Sequence, residues 1–332
     1  MTLISVKDNV GIPKYKQIVL SIEDAIRSSQ LKKGNKLPSI NTICNRFELS
    51  RDTVLMAFNE LKTRGIVHSI AGKGYYVKSE DISVAKKIFL LFDELNAFKE
   101  DLYNSFLNEM DADVQVDIFF HHFNFDLFTK FIYDNIGAYN YYVIMPANFK
   151  NTYEVLEKLP NDLVYILDQT HDELASFPAI YQNFEKDIFE SLNQASNLIN
   201  KYESLILLFP EKKQPEGMLK GFQNFKKSLR IPQEVIATLQ DRTPKKGEVY
   251  LVLDDSTLII LIKKIKIENL IIGKDIGIIS YNDTMLKEIV EGGITTISTD
   301  FKMMGKRLAS MILSEEKSQI ENPNHLIIRN SL

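Results

Sequence analysis

Arg51, Asp52 and Thr53 open the stretch "LSRDTVLMAFNELKTRG", and behind them the pattern turns apolar on one side. An arginine at that place can donate two hydrogen bonds to guanine or clamp a phosphate. Thr53, and Ser39 upstream in "LPSINTICNRF", carry hydroxyls that can meet a phosphate or a base edge, and Asn41 can read an adenine or bind phosphate. Downstream, "AGKGYYV" supplies Gly72, whose backbone can come close to a partner, and Lys73, a charge near a groove. A helix whose mouth must reach base edges needs polar side chains there, while its middle must pack and turns apolar. The plainer alternative is a polar helix start, with Asp52 favoured by the helix dipole.

These residues need elements to hold them. Pro13 starts "PKYKQIVLSIEDAIRSSQL", where Ile18, Ile22, Ala25 and Ile26 recur at helical spacing. Ser39 is placed to cap a helix through Phe47, and Ser50 to cap another from Arg51 to Arg64, with Gly65 as its C′ residue. "IVHSI" and "YYVK" around "AGKG" spell two short strands and a turn. Three helices followed by a hairpin make a winged helix-turn-helix.

Charge is split in the same way. Residues 1–80 hold 13 basic and 7 acidic residues, whereas the remainder holds 27 basic and 37 acidic. A basic head on an acidic body implies that only the head meets a polyanion. The 332 residues allow two or three domains. Cys44, the single cysteine, excludes an intrachain disulfide and reads as a small core residue. No leader pattern or membrane-length apolar run occurs, which sets the expectation of a cytoplasmic protein without a membrane partner.

"LPS", "LSRDTV", "AFNELKTRGIV" and "GKGYYV" together resemble the GntR family of bacterial transcription regulators. The family often has arginine where this chain has Asn41 and Leu55. The resemblance implies that Ser39, Asn41, Arg51, Asp52, Thr53, Gly72 and Lys73 form a face for double-stranded operator DNA, with symmetric pairing of heads in a homodimer.

After a polar linker at residues 79–87, strand-like runs ("KIFLLF", "VQVDIFF", "YYVIMPA", "LVYILDQ", "SLILLFP", "GEVYLVLDD", "IGIISYND") alternate with helical patterns. Nearly continuous apolar strands predict parallel sheets covered by helices. About 245 residues suit two such lobes, with ligands at the carboxyl ends of the strands. "GMLKGFQNFKKSL", "VYLVLDDSTLIILIKKIKI" and "DIGIISYNDTMLKEIVEGGITTISTDFKMMGKRLASMIL" are similar to segments of the LacI/periplasmic-binding-protein-like effector domain. The resemblance implies an α/β body at 88–332 that dimerises and binds an effector, a monosaccharide or sugar phosphate. Carried over by position, the effector residues are Phe98, Asp168, Lys212, Asp254 and Asn282, with Asp93 as an addition. Met218 stands where relatives have arginine, and Asn282 where they have aspartate. Carboxylates, amides and a cation suit sugar hydroxyls, and an aromatic ring suits the C–H face. For each polar strand-end residue, a helix cap or loop turn is the competing reading.

Other clusters carry less. His121–His122 lacks a third ligand at metal-binding spacing, so no metal or other cofactor is expected. "FFHHFNFDLF" reads as core and strand-end packing, and "LIILIKKIKIENLII" as a covered helix and strand. Asp254–Asp255 has no nucleophile, base or cofactor motif beside it. The expectation is therefore a sugar-responsive repressor rather than an enzyme. The alternative is an enzyme acting on a small sugar-like substrate, with the head as a docking module. A constitutive architectural DNA-binding protein would have no use for a two-lobed ligand body.

Overall fold

The structure, a computed structural model, describes residues 3–7, 12–82, 86–210, 214–225 and 230–332. In the head, α1 (Lys14–Arg27), α2 (Ile40–Phe47) and α3 (Arg51–Thr63) precede a hairpin of β1 (Val67–Ile70) and β2 (Gly74–Val77). Pro13 is the N-cap of α1, one residue outside its first turn. Ser39 and Ser50 cap α2 and α3 by accepting from the amides of Thr42 and Thr53. Such caps contribute about 1 kcal/mol each. Helix α3 ends at Thr63, with Arg64 as C-cap and Gly65 at φ +73°. The hairpin is antiparallel, pairing Val67 with Val77. Val54, Ala57, Phe58 and Leu61 of α3 pack with Ile18, Ile22 and Ile43 into one core. Cys44 is only partly buried and packs against that core.

The body begins with β3 (Lys86–Phe92), α4 (Ala97–Asn108), β4 (Val114–Phe120), α5 (Phe125–Asp134), β5 (Tyr141–Ile144), α6 (Thr152–Leu156), β6 (Val164–Asp168) and β7 (Ala179–Tyr181). It continues through α7 (Phe184–Gln194), α8 (Ser196–Ile199), β8 (Ser204–Leu208), α9 (Glu216–Phe225), β9 (Gln233–Ile236) and β10 (Glu248–Val252). The last elements are α10 (Asp255–Ile267), β11 (Gly277–Tyr281), α11 (Met285–Ile289), β12 (Thr295–Thr299), α12 (Phe301–Leu313), β13 (Gln319–Glu321) and β14 (Asn324–Ile327). One six-stranded sheet runs β13-β7-β6-β5-β3-β4 and the other β14-β12-β11-β10-β8-β9. β14 pairs antiparallel with β12, while the pairs of β8 with β9, β8 with β10, β10 with β11 and β11 with β12 are parallel. The buried runs of β6, β8, β10 and β11 explain their continuous apolar sequences, since parallel strands covered on both faces have no wet side.

Two expectations need correction. "LIILIKKIKIENLII" gives α10 and then a turn with only an isolated bridge at Ile272, not a second strand. Nor is the helix covered all round, because Ile259, Ile260 and Ile267 are exposed. Hydrophobic residues there outnumber the buried positions one helix face provides. No helix among the described residues is long and apolar enough to cross a membrane.

Candidate functional site

At the head, α2 and α3 bring the polar candidates to one exposed end. Arg51 Nη1 donates to Asn41 Oδ1 at 3.1 Å, so the first turns of the two helices meet through these side chains. Asp52 is exposed in the first turn of α3. The Ser39 and Ser50 hydroxyls cap their helices and also contact the Thr42 and Thr53 hydroxyls at 2.7 and 2.8 Å. Capping thus occupies part of their hydrogen-bonding capacity, and the third helical residue brings its own hydroxyl beside the cap. Gly72 sits at φ +71° in the hairpin turn, with nothing within 4 Å of a Cβ placed there. Its role in the turn is conformational rather than steric. Lys73 beside it is exposed.

In the body, the strand-end candidates divide. Asp93 pairs with Lys99, and both are buried. Asp168, which closes β6, is also buried and accepts from Gln182 Nε2 at 2.6 Å. Burial pushes the Asp168 carboxyl above the usual range, against the pull of Lys99, and nearby Asp93 adds to the rise. Burial acts against the charge on Lys99, but Asp93 and Asp168 outweigh it and hold its pKa above the ordinary lysine value. Tyr281 Oη donates to Gln182 Oε1 at 3.0 Å. A connected buried network therefore runs from Asp93 through Lys99, Asp168 and Gln182 to Tyr281. Asp168 keeps its role in this network with its backbone at φ +74°, an unusual conformation for a residue with a side chain.

Phe98 stacks on Phe301, with ring centroids 4.7 Å apart. Asp254 caps α10, accepting from the Thr257 amide and from the Ser256 and Thr257 hydroxyls. Burial opposes its charge, but these donors lower its pKa below the usual value. Asn282 follows β11 at φ +59°, and its Oδ1 is buried with no partner among the described residues. Its neighbour Asp283 is held by Arg329 through contacts of 2.7 and 2.8 Å. Lys212 lies outside the described residues.

A cavity of about 600 Å³ opens beside this network. Gln169, Thr170 and Gln182 line it from the ends of β6 and β7, and Asn148 lines it from the segment after β5. Gln169 Nε2 donates to Asn148 Oδ1 at 2.6 Å, while Asn148 Nδ2 donates to the Gln214 carbonyl. The Thr170 hydroxyl is buried without a partner among the described residues. Tyr181 and Phe184 add aromatic surface and Lys220 a cation. Asp168 reaches this cavity through Gln182, whereas Asp93, Phe98, Asp254 and Asn282 do not line it. Gln182, Lys99, Asn148 and Gln169 were not among the sequence candidates. Only Gln169 had a direct signal, as the last residue of "LVYILDQ". Among the described residues, no group of three or more metal-ligating side chains is arranged to hold a metal ion.

Residues 14–77 match the bacterial regulatory proteins of the gntR family, and residues 201–332 match a periplasmic binding protein-like domain. The chain carries a gntR-type head and a periplasmic-binding-protein-like domain. The GntR head is 41% identical over 66 residues to the arabinose metabolism transcriptional repressor of Geobacillus stearothermophilus, covering 20% of this chain and 18% of that protein. The mannosyl-D-glycerate transport/metabolism system repressor MngR of Escherichia coli is 37% identical over 82 residues, covering 25% of this chain and 34% of the repressor. The chain therefore spans only a minor part of these two curated relatives. A LacI family transcriptional regulator from Silicibacter pomeroyi shares the fold, with a TM-score of 0.62 at 13% identity over 74% of this chain and 98% of that one. The winged helix-turn-helix and the two parallel α/β lobes are thus established as the architecture.

Proposed function

We propose that this protein is a ligand-controlled transcription regulator, a repressor of carbohydrate-use genes released by a sugar, and not an enzyme. In this reading residues 1–78 bind double-stranded operator DNA, and 88–332 bind the effector and dimerise; the linker placed at 79–87 stops short of its expected end, because Lys86 and Lys87 already pair in β3. The observation that carries it is the union in one chain of a GntR head, whose α3 presents Arg51 braced by Asn41, with a periplasmic-binding-protein-like domain. Relatives described as arabinose and mannosyl-D-glycerate repressors support the direction of control and the carbohydrate class.

The effector is a monosaccharide or sugar phosphate. The cavity near the ends of β6 and β7 supports it: amides from Asn148, Gln169 and Gln182 match hydroxyls, and Tyr181 offers an aromatic face. The buried Thr170 hydroxyl, which lines the cavity, would gain a partner from a bound polyol or an ordered water. Lys212 and Lys220 are the cations that a phosphate would use. Exposed Met285, Leu286 and Ile289 on α11, and Ile259 and Ile260 on α10, offer apolar surface for a second copy of the chain. Lys287 Nζ contacts Asp255 Oδ1 at 2.7 Å and links the two helices. A cytoplasmic location follows from the DNA partner.

The test titrates duplexes selected from a random library against the full chain, with and without each member of a sugar and sugar-phosphate panel. A coupling of about 1–3 kcal/mol would loosen DNA binding roughly 5–150-fold in the presence of the effector. Unchanged affinity with a sugar shown by calorimetry to bind would remove the switch. Tighter binding would reverse its sign.

A further inference from the structure

Helix α3 carries two apolar side chains away from the core of the head. Val54, Ala57, Phe58 and Leu61 are its buried residues. At 3.6 residues per turn, Leu55 falls outside the buried arc, one turn from Arg51 and one turn from Asn59, and Met56 lies about 100° further round, with Asp52 and Asn59 between them. Met56 is 53% exposed and Leu55 is half-buried. Neither belongs to the hydrophobic cluster of the head among the described residues. Leu55 shares its face with Arg51, whose guanidinium is braced by Asn41 at 3.1 Å, and Met56 lies at the other edge of the exposed arc of α3. Elsewhere on that face the exposed residues are polar.

An apolar group in water gains free energy only by covering another apolar surface. In the major groove the apolar feature of base edges is the C5-methyl group of thymine. We propose that Leu55, beside the polar contact of Arg51, and Met56, at the other edge of the exposed arc, read thymine methyl groups. The inference rests on the DNA-binding reading above and adds the base class that this face selects. Four residues of helix rise about 6 Å, roughly two base-pair steps. The thymine met by Leu55 should therefore lie within about two base pairs of the base or phosphate met by Arg51.

The test uses the full chain and its selected duplex, with each thymine replaced singly by deoxyuridine, which removes only the methyl group. Fluorescence anisotropy reads the affinity. Burying one methyl is worth about 0.8 kcal/mol, so deoxyuridine at one or two positions per half-site should weaken binding about fourfold. In Leu55→Ala or Met56→Ala, the thymine and deoxyuridine duplexes should bind alike at the position that residue covers. Thermal melting verifies that each variant is folded, and either one suffices if the other is not. The inference is overturned if every deoxyuridine duplex binds like its parent, or if the penalty persists unchanged in both variants. It is also overturned if the variants change self-association but not deoxyuridine sensitivity. Failure to enrich any duplex would overturn the DNA-binding reading and this inference with it, an outcome distinct from the preceding ones.

Discussion

Asp187 on α7 should make the protein less stable as pH rises from about 4 to about 7. It is buried, one carboxyl oxygen has no partner among the described residues, and it lies in the field of Glu321, Glu190, Lys186 and Tyr281. Burial, reinforced by the Glu321 carboxylate, pushes its pKa up to about 7. In the unfolded chain an aspartate titrates near 3.9. Below about pH 4 the group is protonated in both states and imposes no cost. Between about 4 and 7 the unfolded chain has lost the proton that the folded chain retains. Folding must then take up a proton, so stability falls with pH until it levels off above about 7. Three pKa units set an upper bound of about 4 kcal/mol on the loss. Asp187→Asn keeps the shape and removes the titration. Wild type and variant should be similar near pH 4, and the variant should become increasingly more stable up to about pH 7, by several degrees in melting temperature. Comparing the two proteins at each pH cancels carboxylates that titrate alike in both. A gap that stays constant with pH, or one that favours wild type increasingly at high pH, would refute the reasoning.

Three further outcomes are expected. Arg51→Ala should cost about 1–3 kcal/mol in DNA affinity and relax selectivity at one position, which a selection repeated with the variant would show; an unchanged consensus would argue against base reading. Lys99→Met should destabilise by about 3–5 kcal/mol in chemical denaturation at neutral pH, because Asp93 and Asp168 then share a buried site without their cation. Adding Asp93→Asn and Asp168→Asn should recover much of that loss, and no recovery would show that packing, not charge, governs the site. Gly305→Ala would place a Cβ 2.3 Å from the Leu102 carbonyl, where α12 crosses α4, and should lower the melting temperature through about 1–3 kcal/mol of overpacking; an unchanged value would mean that the crossing yields freely.

How much was legible depended on whether a signal was local. Ser39 and Ser50 announce helices α2 and α3 because capping is decided within four residues. The long apolar strands of the body were visible for a similar reason, since burial on both faces leaves a continuous run. β9, β13 and β14 were missed: they are short, lie at sheet edges, and contain exposed positions. Helix α7 was also missed, although its partner α9 was visible. What fixes their packing is Gly221, where a Cβ would stand 2.3 Å from the Glu185 carbonyl, and that contact joins segments distant in sequence. The GntR head was legible almost to the residue because its recognition elements are contiguous in the chain.

The candidate effector residues show why the same method thins out in the body. Position along the chain identifies residues at strand ends, but not which polar groups they meet. Asp254 and Asp168 both follow apolar strands, yet one spends its oxygens on capping α10 and the other is enclosed with Lys99 and Gln182. A carboxylate saturated by its own helix is a poor partner for a sugar hydroxyl, because binding must first break bonds already made. Asp168 differs in that its partner Gln182 also lines the cavity and, through Oε1, accepts from Tyr281. A ligand that competes for Gln182 would perturb a buried chain of hydrogen bonds that ends at Asp168, in the field of Lys99 and Asp93. That chain spans residues from β6, the segment after β7, and β11, so its rearrangement need not stay local. If an effector occupies this cavity as proposed, Gln182 is the residue through which its presence has the most to change, although no pattern in the sequence singled it out.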